Sequence, residues 1–123
     1  MKIRRGLLYL ANFNPRLGTE PGKLRPVLVI QTDLLNLAGH PSTWVLPCTT
    51  TLSGGNLLRV SLPRGIAGNR EDCEVMIDQN RAIDNRRFVR ALKPLPASLL
   101  REVEEKLLYM LLAWIRSLEK LPI

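Results

Sequence analysis

The chain has 123 residues, of which 46% are hydrophobic and 24% are charged, a composition typical of one globular domain and unlike that of a disordered segment. It carries 18 lysine and arginine residues against 11 acidic ones, and the resulting net charge of +7 is typical of nucleic-acid-binding proteins, among others. Its longest apolar run, residues 107–115, is much shorter than the about 20 residues that cross a membrane, so we expect no membrane span and a cytoplasmic protein.

The cysteine and histidine content limits the metal chemistry open to the chain. The two cysteines, Cys48 and Cys73, do not have the spacing of a metal site, and His40 is the single histidine. We therefore expect reduced, half-buried thiols, no bound metal and no cofactor.

Short apolar or β-branched runs separated by Gly, Pro and Asn predict a series of short strands. We place them at residues 7–13, 26–31, 42–50, 57–62, 74–78, 81–83 and 88–92, with 81–83 continuing or following the strand before it. Pro26 is expected at the first position of its strand, because proline cannot donate a ladder hydrogen bond. A helical turn is expected near Leu34. Strands of this length with frequent turns indicate a small barrel or a strongly bent antiparallel sheet.

A long helix is predicted after Pro94 and Pro96, where the apolar residues change to three- and four-residue steps. The apolar positions with this period are Leu100, Val103, Leu107, Met110, Leu111, Trp114 and Leu118. Ser98 is the expected cap. Further apolar residues, Leu108, Leu112 and Ile115, give the later turns a second apolar face, which either packs on a second copy of the chain or is buried within one subunit. We expect one domain over residues 1–123, with a barrel at about 6–93 and the helix at about 97–119.

Three polar clusters follow predicted strands or precede them, where loops hold functional groups on a rigid frame. They are Arg25, the threonines 49–51, and Asp78 with Gln79. An arginine binds phosphate through a planar fork, a threonine hydroxyl donates one hydrogen bond, and a carboxylate accepts a proton. Cleavage of a phosphodiester needs these three groups. Residue types alone also allow an Arg25–Glu20 pair, ordinary strand threonines and a turn-capping Asp78.

Several segments, in order along the chain, resemble the MazF/PemK toxins. They are Arg5-Gly6 with the apolar strand and Pro15 that follow, Gly18-Thr19-Glu20, Arg25-Pro-Val-Leu-Val-Ile-Gln31, Pro47-Cys-Thr49-Thr50, Asp78-Gln79-Asn-Arg81-Ala-Ile-Asp84, and the helix start at 99–107. The resemblance implies an SH3-like barrel with a terminal helix, and a homodimer. It also implies a metal-independent endoribonuclease that cuts single-stranded RNA at a short sequence, leaving a 2′,3′-cyclic phosphate and a 5′-hydroxyl. A MazE-like antitoxin is the implied inhibitor.

The resemblance also assigns roles to individual residues. Arg25 matches the catalytic arginine of the family, and Thr49 matches its catalytic threonine. Asp78 matches a carboxylate that acts as base in the PemK branch, but that branch has an arginine where this chain has Met76. The chain therefore resembles the MazF branch more closely. Glu20 and Asp78 are both candidate bases.

Strand alternation points consecutive residues to opposite faces, so only one of Thr49 and Thr50 can face Arg25. The resemblance selects Thr49, whereas a slip of one residue in the strand register would select Thr50.

Outside these positions we expect RNA contacts from the basic and amide side chains near the motifs. These residues are Asn14, Lys23, Gln79, Arg81, Arg86 and Arg87. Arg90 extends the same basic patch. In the loop before Arg25, Pro21 and Lys23 depart from the family pattern, so the family's RNA contacts in this loop are not carried over to this chain.

Two other functions fit the same composition. One is a non-catalytic SH3-like module that binds RNA or protein, and the other is a CcdB-like inhibitor of DNA gyrase. An arginine next to a strand that ends in threonines favours the nuclease. Incubation with labelled RNA in EDTA separates the nuclease from the binding module, and growth arrest with relaxed, broken DNA would indicate the gyrase inhibitor.

Overall fold

The structure, a computed structural model, describes residues 1–14, 19 and 23–119, and for residues 113–119 it describes the backbone only. The strands are β1 (Leu7–Asn12), β2 (Leu24–Val29), β3 (Ser42–Thr49), β4 (Arg59–Leu62), β5 (Cys73–Met76), β6 (Arg81–Asp84) and β7 (Phe88–Pro94). The helices are α1 (Asp33–Leu37) and α2 (Ala97–Glu119). This confirms the expected mainly-β fold with a C-terminal helix.

The strands form one antiparallel sheet in the order β4-β5-β3-β2-β1-β7, and β6 also pairs with β3. Between Ser42 and Val45, β3 pairs with β6. At its end, at Cys48 and Thr49, β3 pairs with β5 instead. Within the described residues β4 and β7 do not pair with each other, so the expected barrel stays open at this seam.

The sheet is buried on both faces, because alternate residues of its central strands enter two different cores. On one face Leu8, Leu28 and Leu46 pack with α2 through Val103. The second core lies on the other face and contains Tyr9, Ala11, Phe13, Val27, Val29, Val45 and Ile83. The two cores explain why β2 reads as a continuous apolar run.

The start of β2 differs from the prediction. The strand begins at Leu24, so Arg25 lies inside it and Pro26 is not its first residue. Pro26 pairs with Leu10 of β1, whereas pairing with β3 starts only at Val27. Proline is tolerated here because this stretch of β2 has a paired neighbour on one side only.

The ends of β4 and β5 also differ from the prediction. β4 begins at Arg59 rather than residue 57, because the Asn56 side chain accepts the Leu58 N–H at 2.8 Å and holds a turn there. β5 ends at Met76, and Asp78 lies in a single 3-10 turn, Ile77–Gln79. A second 3-10 turn, Asn85–Arg87, separates β6 from β7.

Helix α2 begins one residue before its predicted cap. The Pro96 carbonyl accepts the N–H groups of both Leu99 and Leu100 at 3.0 Å, so Ser98 lies within the first turn instead of capping it. Val103 is buried and Leu100, Leu107 and Met110 pack against the sheet core, as the spacing predicts. Leu111 was placed on the same face and is 45% exposed, so that assignment is wrong. The side chains of Trp114, Ile115 and Leu118 lie outside the described residues.

The later turns of α2 expose an apolar strip. Its residues are Leu108, Tyr109, Leu111 and Leu112. They extend the second apolar face that the sequence predicts, on the side of the helix turned away from its own sheet. None of the described helices is long and apolar enough to cross a membrane.

Candidate functional site

The register between β2 and β3 brings Arg25 and Thr49 together. Val27 pairs with Pro47 at the end of this ladder, and Arg25 and Thr49 each lie two residues beyond that pair on their own strands. Both residues line one cleft at these strand ends. Arg25 Nη1 also donates to the Cys48 carbonyl at 2.9 Å, which ties its guanidinium to the end of β3.

The Thr49 hydroxyl is oriented by the chain just after it. The Thr51 N–H donates to Thr49 Oγ1 at 3.1 Å. With this contact on its oxygen, the hydroxyl keeps its own proton for another acceptor. Thr49 is half-buried, whereas Thr50 is exposed and follows the end of β3. The Thr49 hydroxyl is therefore held in place by the backbone that follows it.

A buried carboxylate beside Thr49 is absent from the sequence prediction. Glu74 pairs directly with Thr49 across β3 and β5 and is only 2% exposed. Its two oxygens accept the Ser53 N–H at 3.0 and 3.1 Å, and one of them also accepts the Ser53 hydroxyl at 2.9 Å. The sequence indicates a buried carboxylate only through one feature, a single acidic residue within the otherwise apolar stretch 73–77.

Opposing effects act on the pKa of Glu74. Burial raises the pKa of the carboxyl. The hydrogen bonds from the Ser53 backbone and hydroxyl, together with the charge of Arg59, lower the pKa by more than burial raises it. The net pKa lies below the ordinary glutamate value, so this buried group is ionised at neutral pH.

Asp78 and Gln79 lie at the other end of β5. Because β5 runs antiparallel to β3, the chain moves away from Thr49 as it goes from Glu74 to Asp78. Asp78 is exposed, and the fold does not bring it to Arg25 and Thr49 within this subunit.

Arg81 is on the same face as Arg25. It pairs with Val45 of β3, a member of the second core, and its guanidinium lies 5.3 Å from the centroid of the Phe13 ring. The contact is a cation–π interaction that fixes one end of the side chain beside the start of the 15–22 segment.

Three predicted RNA-binding residues form what we call the loop neck: Asn14, Lys23 and Arg87. Asn14 Oδ1 accepts the Lys23 N–H at 2.9 Å, and Arg87 Nη1 donates to the Asn14 carbonyl at 2.9 Å. Arg87 Nη1 also donates to the Asn12 carbonyl at 3.0 Å. The neck closes the ends of the 15–22 segment, and Glu20 lies outside the described residues.

Arg86 has a different environment from Arg87. It is exposed and donates to Asp84 through Nε at 3.0 Å and Nη2 at 2.9 Å. These side-chain bonds and the Arg86 N–H lower the pKa of Asp84 to about 2. The charge of Arg86 is thus paired with a carboxylate on the protein surface.

A cleft of 450 Å³ opens at the ends of β2 and β3, and both Arg25 and Thr49 line it. Its lining includes the cationic residues Lys23, Arg25, Arg70 and Arg90, with Glu71 among them. Leu10, Pro26 and Leu92 give it an apolar wall, and the threonines 49–51 form part of its rim. Cations, hydroxyls and an apolar wall are suited to a phosphate with an attached base and sugar.

Cys48 and Cys73 also line this cleft, and both are free thiols that are fully buried rather than half-buried. A hydrogen bond with Cys73 and burial raise the pKa of Cys48. Among the described residues no group of His, Cys, Asp and Glu side chains could hold a metal ion.

Comparison with known proteins identifies relatives of the whole fold. A family model described as "PemK-like, MazF-like toxin of type II toxin-antitoxin system" matches residues 4–111. The chain is 32% identical over 108 residues to Endoribonuclease EndoA of Bacillus subtilis (strain 168), covering 87% of this chain and 92% of that protein.

Two solved structures from Deinococcus radiodurans are similar as well. A MazF crystal structure matches with a TM-score of 0.78 and 30% identity, over 90% of this chain and 97% of that one. A MazE–MazF crystal structure matches with a TM-score of 0.72 and 31% identity, over 90% and 96%.

Proposed function

The chain belongs to the family of PemK-like, MazF-like toxins of type II toxin–antitoxin systems, and from this premise we propose that it is an endoribonuclease that cuts single-stranded RNA without a metal ion. The observation that carries the proposal is that Arg25 and Thr49 line one cleft at the ends of β2 and β3, with the Arg25 guanidinium bonded to the Cys48 carbonyl. Endoribonuclease EndoA, its relative at 32% identity, supports the same reaction class.

The proposed reaction is attack by an RNA 2′-oxygen on the adjacent 3′-phosphate. The new bond joins the 2′-oxygen to phosphorus, and the bond from phosphorus to the 5′-oxygen breaks. The 2′-hydroxyl proton goes to a base and the leaving 5′-oxygen gains a proton, so the products are a 2′,3′-cyclic phosphate and a 5′-hydroxyl. Arg25 and Thr49 donate to the non-bridging oxygens, on which negative charge increases in the transition state.

Glu20 is the base that we propose over Asp78. β5 carries Asp78 away from Thr49, whereas Glu20 belongs to the segment that the loop neck closes directly before Arg25. Arg25 itself is a poor proton acceptor, since a guanidinium stays protonated up to a pH of about 12.

RNA contacts are proposed around Arg25 and Thr49. Arg70 and Arg90 line the same cleft as these two residues, and the loop neck and Arg81 supply further contacts outside it. Gln79 stays a proposed contact. Arg86 contributes less than its neighbours, because Asp84 neutralises its charge.

Assembly and regulation complete the proposal. The exposed strip on α2 fits an isologous contact with a second copy, and light scattering on the purified chain measures that dimer directly. A MazE-like antitoxin of acidic character suits a surface of net charge +7, and the similar MazF structure with MazE bound supports this partner. The toxin acts as a single domain in the cytoplasm, where its RNA substrate is found.

The test is cleavage of an end-labelled RNA in the presence of EDTA. The parent protein should cut at a few sites and leave cyclic phosphate ends. Arg25→Lys should be slower by about 100-fold or more, because a point charge cannot replace the bidentate fork. Arg101→Lys is the matched control, since Arg101 is an exposed arginine on α2 and should retain full activity.

Other outcomes would contradict the proposal. Intact RNA with a retarded band would indicate a binding module, and cleaved DNA in a gyrase reaction would indicate a gyrase inhibitor. Equal rates for Arg25→Lys and Arg101→Lys would remove Arg25 from the mechanism.

A further inference from the structure

Glu74 is a buried charge that the proposed reaction does not use. A carboxylate that is 2% exposed is costly to bury unless several donors satisfy it. Here the donors are the backbone N–H and the hydroxyl of Ser53, an exposed residue of the loop between β3 and β4. The buried carboxylate therefore anchors the loop between β3 and β4 to β5.

The same loop contains the group that orients Thr49. The Thr51 N–H donates to Thr49 Oγ1, and Ser53 lies two residues further along. Glu74 is also the cross-strand partner of Thr49, so the loop leaves β3 at Thr49 and is anchored again directly over the Thr49–Glu74 pair. Residues 50–52 are held at both ends, which fixes where the Thr51 N–H can point.

Ser53 also organises the rest of the loop. Its hydroxyl oxygen accepts the Gly55 N–H at 3.2 Å and the Asn56 side-chain amide at 3.4 Å. At the far end, Lys106 Nζ of α2 donates to the carbonyls of Asn56 at 3.1 Å and Arg59 at 2.8 Å. The loop thus has two separate anchors, with Glu74 near Thr49 and Lys106 away from it.

We infer that Glu74 is a positioning residue for the candidate site: by anchoring Ser53, its carboxylate holds the Thr51 N–H against Thr49 Oγ1 and so directs the threonine hydroxyl proton toward the RNA phosphate. The inference rests on the proposed nuclease function. Glu74 does not touch RNA in this arrangement, because the loop covers its carboxylate.

A role for Glu74 as the base is less consistent with its surroundings. Its oxygens already accept three hydrogen bonds from Ser53, and the side chain has almost no exposed surface for a 2′-hydroxyl to approach. The low pKa of the Glu74 carboxyl also keeps it ionised across the neutral range, so its effect on the rate should not change between about pH 6 and 8.

The experiment compares single-turnover cleavage at saturating RNA with RNA affinity. Glu74→Gln should slow the cleavage step by about 10- to 100-fold, the size expected when a reacting group is misplaced, while affinity changes little. Ser53→Ala should slow cleavage to a similar extent. The double variant should cleave no more slowly than the slower single variant, because both substitutions break the same Glu74–Ser53 interaction. The loss should be equal at pH 6 and pH 8.

Lys106→Met is the matched control because it frees the same loop at its other anchor. It should leave the cleavage rate near that of the parent. Amide exchange provides a readout apart from activity: the Thr51 N–H should exchange faster in Glu74→Gln and Ser53→Ala, and at the parental rate in Lys106→Met. If Glu74→Gln does not fold, Ser53→Ala at the exposed end of the link carries the test alone.

Each negative result has its own meaning. Parental cleavage by Ser53→Ala with faster Thr51 exchange would overturn the positioning role and leave the nuclease function intact. An equal loss in Lys106→Met would also overturn it, because general loop order would then explain the effect. Failure of the parent protein to cut RNA would instead overturn the proposed function.

Discussion

Thr49 and Thr50 are adjacent in sequence, but Thr49 is the last residue of β3 and Thr50 lies beyond it. Both border the cleft that Arg25 lines, and Thr49 is also the cross-strand partner of Glu74. The proposed mechanism needs a hydroxyl beside Arg25, and the N–H of Thr51 already orients that of Thr49. The two threonines should therefore respond very differently to the same substitution.

Replacement of each threonine by valine keeps its shape and removes its hydroxyl. Thr49→Val should lower the single-turnover rate by about 100-fold or more with little change in RNA affinity, because the lost bond is made mainly in the transition state. Thr50→Val should cleave normally and change stability by about 1 kcal/mol at most. A slow Thr50→Val with a normal Thr49→Val would assign the active hydroxyl to Thr50.

At the scale of elements, Gly6 marks the point where β1, β2 and α2 meet. Its N–H donates to the Val29 carbonyl at 2.8 Å, and its carbonyl accepts the Leu95 N–H at 2.9 Å. Its φ is +85°, and a Cβ at this position would lie 3.2 Å from Leu100 Cδ2 at the start of the helix. The helix can approach the sheet this closely because residue 6 has no side chain.

Gly6→Ala tests how much this close approach contributes to stability. Gly39→Ala is the control, because Gly39 has a similar φ of +77° with no atom within 4 Å of its added Cβ. Each substitution should cost about 1–2 kcal/mol from backbone strain alone. Gly6→Ala should cost at least about 1 kcal/mol more through overpacking, measured by urea unfolding. Equal losses of unfolding free energy in the two variants would mean that α2 moves away from residue 6 with no loss of stability.

At the scale of the whole molecule, the arginines that contribute to the net charge of +7 have different partners. Arg90 lines the cleft and Arg87 closes the loop neck, but Arg86 is paired with Asp84 on the surface. The sequence grouped these three arginines into one basic patch. The fold separates them by the partners that they contact.

Their separate environments predict different salt dependences for RNA binding. Each phosphate contact adds about −0.7 to the slope of log affinity against log salt for single strands. Arg90→Ala should reduce the magnitude of the slope by about that amount, whereas Arg86→Ala should leave it nearly unchanged. Filter binding from 50 to 200 mM salt measures both, and an unchanged slope for Arg90→Ala would exclude the cleft as an RNA contact.

Most of the strands were predictable because β-branched and apolar runs with intervening turn residues specify them locally. The family resemblance supplied Arg25 and Thr49, but their place in one cleft follows only from the pairing of β2 with β3. The position of Asp78 could not be read from sequence, because it depends on β5 running antiparallel to β3.

Glu74 and Ser98 were missed for a similar reason. The burial of Glu74 depends on a loop from a distant part of the chain folding over it, and local sequence contains no trace of that contact. Ser98 has the residue type of a cap, but the Pro96 carbonyl competes for the same N–H groups and starts the helix earlier. In both cases a tertiary or neighbouring backbone contact outweighs the residue's intrinsic preference.

The loop neck makes the 15–22 segment a modular unit for protein engineering. The Phe13 N–H donates to the Lys23 carbonyl at 2.9 Å, and with the bonds of Asn14 and Arg87 this fixes both ends of the segment to the sheet. The entropic cost of closing a loop rises slowly with its length, by about 0.6 kcal/mol for each doubling. Segments of other lengths can therefore be inserted between the same two ends with the sheet unchanged.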